Sequence, residues 1–343
     1  MLKQCRFHHP VRCLFVIGIL LSPVIYCTSA PGRDGDAAGY SGNPKTIAHD
    51  FLDMEAPFGA GAEHRAAVDR LINRAMGAVS PAPRYTTEEA VRTLRAIHAL
   101  LENEGFTTSN NLLLCRGLER KKIDCDNYCA IYIAIAEVLN IPLVPVYAPN
   151  HSFLRFCFDD GTYINWEPTE ARVDPDAYYV SELRIPAESI RKGVYMKILS
   201  RGEFIGVEYN NIGAHLMTGR RYAEAVPYFS LAIREYPRFS SAYHNRGTAY
   251  YAVRRLDEAL ADLTEAAGLD PSRATTRNTL GDVLFDLKEY GRALREYTAS
   301  IRLDPTNYVP YNSIGLIMKV QKKDDQAETW FARSREIRAK YGK

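Results

Sequence analysis

The hydrophobic and polar positions of this chain follow different periods in its two halves. Between residues 63 and 200 the pattern predicts amphipathic helices over 63–76 and 87–104, and then an apolar helix over 130–139. Alternating apolar positions over 143–147, 151–156 and 162–166 predict three strands, with a hairpin turn at 159–161. The pattern therefore predicts an α+β domain over 63–200.

The second half repeats itself with a period of 34 residues. Small residues at two recurring positions allow the two antiparallel helices of a repeat to approach closely, and a recurring proline ends the second helix. An aromatic or large apolar position is expected to fill the space between neighbouring repeats. The recurring positions are Gly213, Gly247, Gly281 and Gly315; Ala225, Ala259, Ala293 and Ala327; Phe229, Leu263, Tyr297 and Phe331; and Pro237, Pro271 and Pro305.

This pattern resembles the tetratricopeptide repeat (TPR), with four copies at about 206–239, 240–273, 274–307 and 308–341. The resemblance implies an all-α superhelix of four helix-turn-helix units whose groove binds a protein or peptide partner. A scaffold or dimerisation arm is the alternative, because a fold alone does not define a function. Arg246 and Arg277 depart from the repeat pattern, and we expect His215 and His244 to be packed or solvated rather than ligands.

The first 62 residues read as a leader and a linker. A basic start followed by an apolar run over 13–27 predicts a signal peptide at 1–30, since this run is shorter than a membrane span. A signal peptide predicts that the chain is exported to a periplasm or secreted. The alternative is an uncleaved N-terminal anchor, and only such an anchor would attach the protein to a membrane. The Gly-, Ala- and Asp-rich stretch over 31–62 is predicted to be a flexible linker.

Composition and charge agree with this organisation. The chain has 343 residues, 46% of them hydrophobic, which predicts about two globular domains. Its formal net charge is +2, and without the three basic residues of the leader 40 Lys and Arg stand against 41 Asp and Glu. Such a balance argues against a nucleic-acid partner.

Four cysteines follow the leader: Cys115, Cys125, Cys129 and Cys157. Export would permit disulfides, and the sequence does not choose among their pairings, although Cys115 with Cys157 is one option. No two-residue cysteine knuckle is present, so we predict no metal site. No phosphate-binding glycine loop is present either, so we predict no cofactor.

Three of the remaining residues suggest chemistry. Cys125 begins a buried helix, where free amides and the helix dipole are expected to lower the pKa of its thiol. His151 opens one strand and Glu167 ends the next, so a hairpin brings both to the same end of the sheet. A thiol with an imidazole held by a carboxylate can carry out acyl transfer through a thioester, and the amides at the helix end could hold the oxyanion.

The motifs Asp124-Cys125-Asp126-Asn127-Tyr128, Asn140-Ile141-Pro142, Asn150-His151-Ser152-Phe153 and Asn165-Trp166-Glu167-Pro168-Thr169 resemble the transglutaminase-like core, a papain-like cysteine fold. The resemblance implies that Cys125 is the nucleophile, His151 the base and Glu167 the orienting acid. Glu167 stands where the family has Asp, and Asn140 replaces the usual glycine of the turn. Cys129 stands where the family has a small residue, so we expect it to be packed.

These observations predict an exported cysteine enzyme acting on peptide or amide bonds, with hydrolysis favoured over cross-linking because water is the more available acceptor. The alternative is a non-catalytic repeat protein whose cysteine domain is a relic. A third interpretation, a structural module stabilised by a disulfide or a metal, rests on the cysteines alone.

Overall fold

The computed structural model describes residues 44–110 and 113–342. The predicted signal peptide at 1–30 lies outside these residues. Of the linker predicted over 31–62, the described part is not a linker, because its apolar side chains form a helix that packs into the core. Ile47, Phe51 and Leu52 of this helix are each at most 1% exposed.

The first part of the chain combines helices with a small sheet. Its helices are α1 (Ile47–Met54), α2 (Ala62–Ala78), α3 (Thr87–Asn103), α4 (Leu114–Arg120), α5 (Cys125–Leu139), α6 (Asp176–Glu182) and α7 (Ala187–Arg191), with a 3-10 turn at Ala56–Phe58. Its strands are β1 (Thr107–Thr108), β2 (Lys122–Ile123), β3 (Leu143–Ala148), β4 (His151–Cys157), β5 (Tyr163–Glu167), β6 (Arg172–Asp174) and β7 (Lys197–Ile198).

Five of these strands form one antiparallel sheet in the order β6-β5-β4-β3-β7. The three strands predicted from alternation are its centre, and Gly161 has a φ of +83° in the turn between β4 and β5, a conformation that favours glycine. Helix α5 packs against β3 and β4, and its end residue Asn140 takes the left-handed conformation expected of the turn residue, with a φ of 54°.

The second part consists of four helix pairs. They are α8 (Arg201–Thr218) with α9 (Tyr222–Glu235), α10 (Ser240–Ala252) with α11 (Leu256–Leu269), α12 (Ala274–Asp286) with α13 (Tyr290–Leu303), and α14 (Val309–Val320) with α15 (Asp324–Tyr341). The first helices of successive pairs also contact one another, so they line one wall of the array. Among the described residues no helix is long and apolar enough to cross a membrane.

The recurring glycines allow close contact within each pair. A Cβ built on Gly281 would lie 2.6 Å from the ring of Tyr297, and one on Gly315 would lie 2.6 Å from the ring of Phe331. The large recurring side chain therefore packs on the glycine of its own repeat. This differs from the expectation that it fills the space between repeats, because the missing Cβ leaves room for a ring at that point.

The two arginines that depart from the repeat pattern are paired with acids. Arg246 forms a two-point ion pair with Asp262, with nitrogen-oxygen distances of 2.7 and 2.8 Å. Arg277 lies 3.0 Å from Glu296. Each acid neutralises the guanidinium within its repeat, which is how these apolar positions accept a charge.

The sheet domain and the first repeats share one hydrophobic core. The buried cluster of the sheet domain also contains Phe204 of α8 and, in the connection between α9 and α10, Tyr236 and Phe239. The ring of Tyr147 on β3 lies edge-on to Phe239, and the Tyr147 hydroxyl is 2.9 Å from Ser241 Oγ. Residue 200 therefore marks where the part with a sheet ends and the helix pairs begin, but the first helix pairs share the core of the sheet domain.

Candidate functional site

Cys125 is the first residue of the apolar helix α5. The side chain of Asp124 caps this helix by accepting a 2.9 Å hydrogen bond from the amide of Asn127. The residues that follow, from Asn127 to Ala136, are buried, so the rest of the helix is fixed in the core. Cys125 itself is partly buried. The cap and the core together hold the thiol at the end of the helix.

His151 and Glu167 meet at the open end of the hairpin, as the sequence predicts. Leu154 pairs with Trp166 across β4 and β5, and this register brings the first residue of one strand close to the last residue of the other. His151 Nε2 lies 2.7 Å from Glu167 Oε2. The extra methylene of the glutamate therefore does not prevent the contact.

Two further side chains hold the carboxylate of Glu167. Thr169, two residues later, donates to Oε1 from its hydroxyl and, at 3.2 Å, from its backbone amide. The hydroxyl of Tyr179 donates to Oε2 at 3.4 Å. The carboxylate is 5% exposed, and each of its oxygens has a donor.

The pKa values of this pair move apart. Burial lowers the pKa of His151, but the hydrogen bond and the charge of Glu167 outweigh it, so the pKa is raised overall. Burial raises the pKa of Glu167, and the bond to His151, its charge and the Thr169 donors outweigh that, so the pKa is lowered overall. The pair therefore favours a charged imidazole next to a charged carboxylate.

An aromatic stack covers the imidazole. The rings of Phe153 and Tyr179 are stacked with centroids 3.8 Å apart, and His151 lies 6.2 Å from Tyr179 in a near-parallel orientation. Tyr179 belongs to α6, whose first residue Asp176 accepts a 2.7 Å hydrogen bond from Arg155, a side chain that is 2% exposed. This ion pair, between a buried guanidinium and a carboxylate that is 41% exposed, holds the start of the helix that carries Tyr179.

The environment of Cys125 differs from the prediction. Burial raises the pKa of its thiol, and the carboxylates of Asp126 and Asp124 raise it further. The backbone amide of Ser152, the residue after His151, donates a hydrogen bond to the sulfur and acts in the opposite direction. The expected lowering by the helix end is wrong, because desolvation and two adjacent acids outweigh it. The Ser152 amide places the thiol next to the start of β4.

The other cysteines are not part of this site's chemistry. Cys115 and Cys129 are buried free thiols, and burial raises the pKa of Cys115 to about 12. Because Cys115 is free, it forms no disulfide with Cys157. Cys129 lies one turn after Cys125, and burial raises its pKa as well. The packed role expected for Cys129 agrees with its complete burial.

The two histidines of the repeats also have ordinary roles. His244 is partly buried, with Nδ1 3.1 Å from the hydroxyl of Thr276, and desolvation lowers its pKa to about 3. His215 lies edge-on to the ring of Phe58 at 5.9 Å. In residues 44–110 and 113–342 no group of three or more His, Cys, Asp or Glu side chains is arranged to hold a metal ion.

Helix α8 of the first repeat contacts the segment around Cys125 with polar side chains. Asn211 donates a 3.0 Å hydrogen bond to Asp126 Oδ2, and Asn211 is 6% exposed. One turn earlier on the same helix, Glu208 is fully buried, and the charge of Glu55 acts on it. Glu55 also accepts hydrogen bonds of 2.5 and 2.7 Å from the amides of Leu114 and Cys115.

Sequence reasoning named Cys125, His151 and Glu167 as candidates but did not name the side chains that contact them. Thr169 and Asp126 stand inside the motifs, so their closeness in sequence could have indicated a role. Tyr179 and Asn211 come from separate helices, and no local pattern connects them with the site. Two cavities, of about 420 Å³ beside Tyr308 and about 300 Å³ beside Arg84, are not lined by the three predicted residues.

Comparison with known proteins gives one family match, which lies in the second part of the chain. Residues 244–308 match the tetratricopeptide repeat family. The helix pairs α10 with α11 and α12 with α13, which these residues cover, are similar to tetratricopeptide repeats. This confirms the repeat part of the sequence prediction, whereas the transglutaminase-like assignment of 63–200 stays a prediction. No curated protein matches the sequence.

Among solved structures the repeat protein is similar to several forms of MamA. One crystal structure of MamA has 22% identity and a TM-score of 0.38, over 39% of this chain and 79% of MamA. MamA from Desulfovibrio magneticus RS-1, from residue 41 to its end, has 17% identity and a TM-score of 0.38, over 40% and 78% of the two chains. MamA MSR-1 has 15% identity and a TM-score of 0.36, over 48% and 85%. Similarity at this level says nothing about function.

Proposed function

We propose that this protein is a scaffold that binds a protein partner through its tetratricopeptide repeats. The carrying observation is an exposed apolar stripe on α14, where Val309, Leu316 and Val320 recur at helical spacing. These side chains are 37%, 41% and 51% exposed. Apolar side chains clustered on one exposed face favour a protein-binding surface.

Cross-linking to the exported proteins of the source cell tests this proposal. A partner should be captured by the wild-type chain and lost when Leu316 and Val320 are both replaced by Glu. The matched control is Leu303→Glu on α13, because Leu303 is 42% exposed but lies on another helix. Equal capture by the wild type, the double variant and the control would contradict binding through α14.

A second function is favoured by one specific contact, the 2.7 Å bond between His151 and Glu167 beside the thiol of Cys125. We propose that the domain over 63–200 is a transglutaminase-like domain of the papain-like cysteine class that acts on an amide bond. The order of the elements supports this resemblance: a helix that begins at Cys125 is followed by a strand that begins at His151 and a strand that ends at Glu167. If the chemistry is absent, the domain is a relic and the protein is a non-catalytic scaffold.

The proposed steps follow from the proton positions. The pair with Glu167 favours the imidazolium, so attack proceeds from the molecules whose ring is neutral. Because Nε2 is bonded to Glu167, Nδ1 of this neutral ring takes the proton of the Cys125 thiol as the sulfur attacks the carbonyl carbon. His151 then gives this proton to the leaving amine as the carbon-nitrogen bond breaks and a thioester forms. Water attacks the thioester as one of its protons passes to His151. The carbon-sulfur bond then breaks, and His151 returns that proton to the sulfur, which releases the acid and restores the Cys125 thiol.

Because the pKa of Cys125 is raised, His151 has to act as the base that takes the proton of the thiol. The resting sulfur is a thiol, so attack requires a base at the moment of bond formation. The amide of Asn127 is occupied by Asp124, which leaves the amides of Cys125 and Asp126 as candidates to hold the oxyanion.

Acylation by p-nitrophenyl acetate, followed by mass spectrometry of the intact chain and its peptides, tests this second function. We expect one acetyl group on Cys125, removable by hydroxylamine, with no label on buried Cys115 or Cys129. His151→Ala should slow acylation by about 10²-fold or more, as expected for loss of a general base. Unlabelled Cys125, or equal labelling in His151→Ala, would leave the non-catalytic scaffold as the remaining interpretation.

A further inference from the structure

The first repeat reaches into the cysteine site through one hydrogen bond. Asn211, in the middle of α8, is nearly buried and donates from Nδ2 to Asp126 Oδ2 at 3.0 Å. Asp126 follows Cys125 directly, and its other oxygen is buried without a partner among the described residues. The carboxylate therefore has one donor that fixes it, and that donor belongs to the repeat array.

The position of Asp126 matters because its charge acts on both reacting groups. It lies close enough to Cys125 to disfavour a thiolate, and close enough to His151 to favour an imidazolium. The other charged groups that act on Cys125 are Asp124 on its own segment and Glu167 on β5, and those that act on His151 are Glu167 and Glu170.

We propose that Asn211 is a positioning residue for the Cys125 site. It holds the Asp126 carboxylate beside the thiol and the imidazole, so that the first repeat determines the protonation of both groups. The role in catalysis rests on the function proposed for Cys125, but the effect on protonation does not. Val207 and Ile212 of α8 are buried in the core shared with the sheet domain, so the helix keeps Asn211 in its place.

The experiment measures two pH midpoints in the full chain. The first is the midpoint of Cys125 alkylation by iodoacetamide, read by mass spectrometry, and the second is the midpoint of the His151 ring signals in NMR. In Asn211→Ala, Asp126 loses its donor and is free to turn toward water. Both midpoints should fall, that of Cys125 by about one pH unit, since like charges a few ångströms apart shift pKa values by that order.

Two further variants make the result specific. Asp126→Asn should lower both midpoints in the same way, and the double variant should show no additional shift, because Asn211 acts only through Asp126. Asn210→Ala is the matched control. Asn210 is on the same helix and 9% exposed, but its oxygen accepts a 2.8 Å bond from Asn245 in the second repeat, so both midpoints should stay unchanged.

Unchanged midpoints in Asn211→Ala, with the chain still folded by circular dichroism, would overturn the proposal. Should Asn211→Ala not fold, Asp126→Asn decides, because a failure of this variant to lower the two midpoints overturns the proposal equally. The outcome is independent of catalysis, since iodoacetamide alkylates Cys125 whether or not the chain turns over a substrate. If acylation fails but the two midpoints shift, the enzymatic function is contradicted and the positioning role of Asn211 stands.

Discussion

The Nε2 atom of His151 lies 2.7 Å from Oε2 of Glu167, although 16 residues separate them in the chain. The contact joins the first residue of β4 to the last residue of β5, and both side chains are shielded by Tyr179. A charged pair in such a place has a defined dependence on pH, because each partner changes the pKa of the other.

Replacing Glu167 by Gln should lower the pKa of His151 by about 1–3 units, since the imidazolium loses its closest counter-charge. NMR titration of the ring measures this shift. The pair contributes its full stabilisation of the fold between pH 4.5 and 6.5, the pKa values of Glu and His in the unfolded chain. As the pH falls below this window Glu167 becomes protonated, and as it rises above the window His151 loses its proton, so the stabilisation is lost at both ends. Glu170→Gln is the control and should give a smaller shift, because Glu170 is exposed. Equal shifts in the two variants would contradict the assigned pair.

Replacing Glu208 by Gln should stabilise the protein at neutral pH. Burial, and next the charge of Glu55, raises the pKa of Glu208, so the folded state retains a proton that the unfolded state loses above about pH 4.5. Stability therefore falls as pH rises toward the folded pKa, by about 1.4 kcal/mol for each unit of the shift. A neutral Gln avoids this cost.

Thermal unfolding of Glu208→Gln and wild type at pH 4.5 and 7.5 checks this. The gain in Tm should be present at pH 7.5 and disappear near pH 4.5. The control is Glu265→Gln, since Glu265 is exposed on α11. A variant that is less stable than wild type at pH 7.5 would mean that Glu208 is charged in the folded protein.

Replacing Gly281 by Ala should destabilise the repeats by about 1–3 kcal/mol through overpacking. The new Cβ would lie 2.6 Å from the ring of Tyr297, whose hydroxyl is tied to Asp282 at 2.8 Å and so resists displacement. The matched control is Gly291→Ala on α13, where a Cβ has no atom within 4 Å. It should stabilise the helix by up to about 1 kcal/mol, and urea unfolding distinguishes the two outcomes.

A chain of residues 44–200 should fail to unfold cooperatively. Removing the repeats exposes Tyr147 and Tyr195, whose hydroxyls contact Ser241 and Asp270 at 2.9 and 2.6 Å, together with the core shared with α8. A chain of residues 44–304 keeps these contacts and should retain one unfolding transition. Fluorescence of a hydrophobic dye and calorimetry compare the two, and cooperative unfolding of 44–200 would show that the sheet domain has a sufficient core of its own.

Sequence patterns predicted the elements that depend on the order of neighbouring residues, namely the central strands, their turn and the helix pairs. The alternation of β4 and β5 and the turn at Gly161 were enough to place His151 near Glu167. The period of the glycines was enough to predict four helix pairs. The helix over 47–54 was missed because it is short and follows a Gly- and Ala-rich stretch, and only its burial against α5 and α8 accounts for it.

The electrostatics of the site could not be read from the sequence. A helix end lowers the pKa of a thiol, but the opposing effect at Cys125 comes from burial and from the orientation of Asp126. That orientation is set by Asn211, 85 residues away in the chain. Contacts of this kind depend on how separate elements pack, and no periodic pattern records them.

The shared core makes the two ends of the repeat array unequal. The amino-terminal end is joined to the sheet domain through buried tyrosines and the polar face of α8, so a repeat inserted there would separate the groups that meet around Cys125. Within residues 44–110 and 113–342, the main contact of the last helix, α15, is with α14 of its own repeat. Duplication or loss of repeats in the course of evolution can therefore proceed at that end alone, where the length of the array changes without disturbing the thiol.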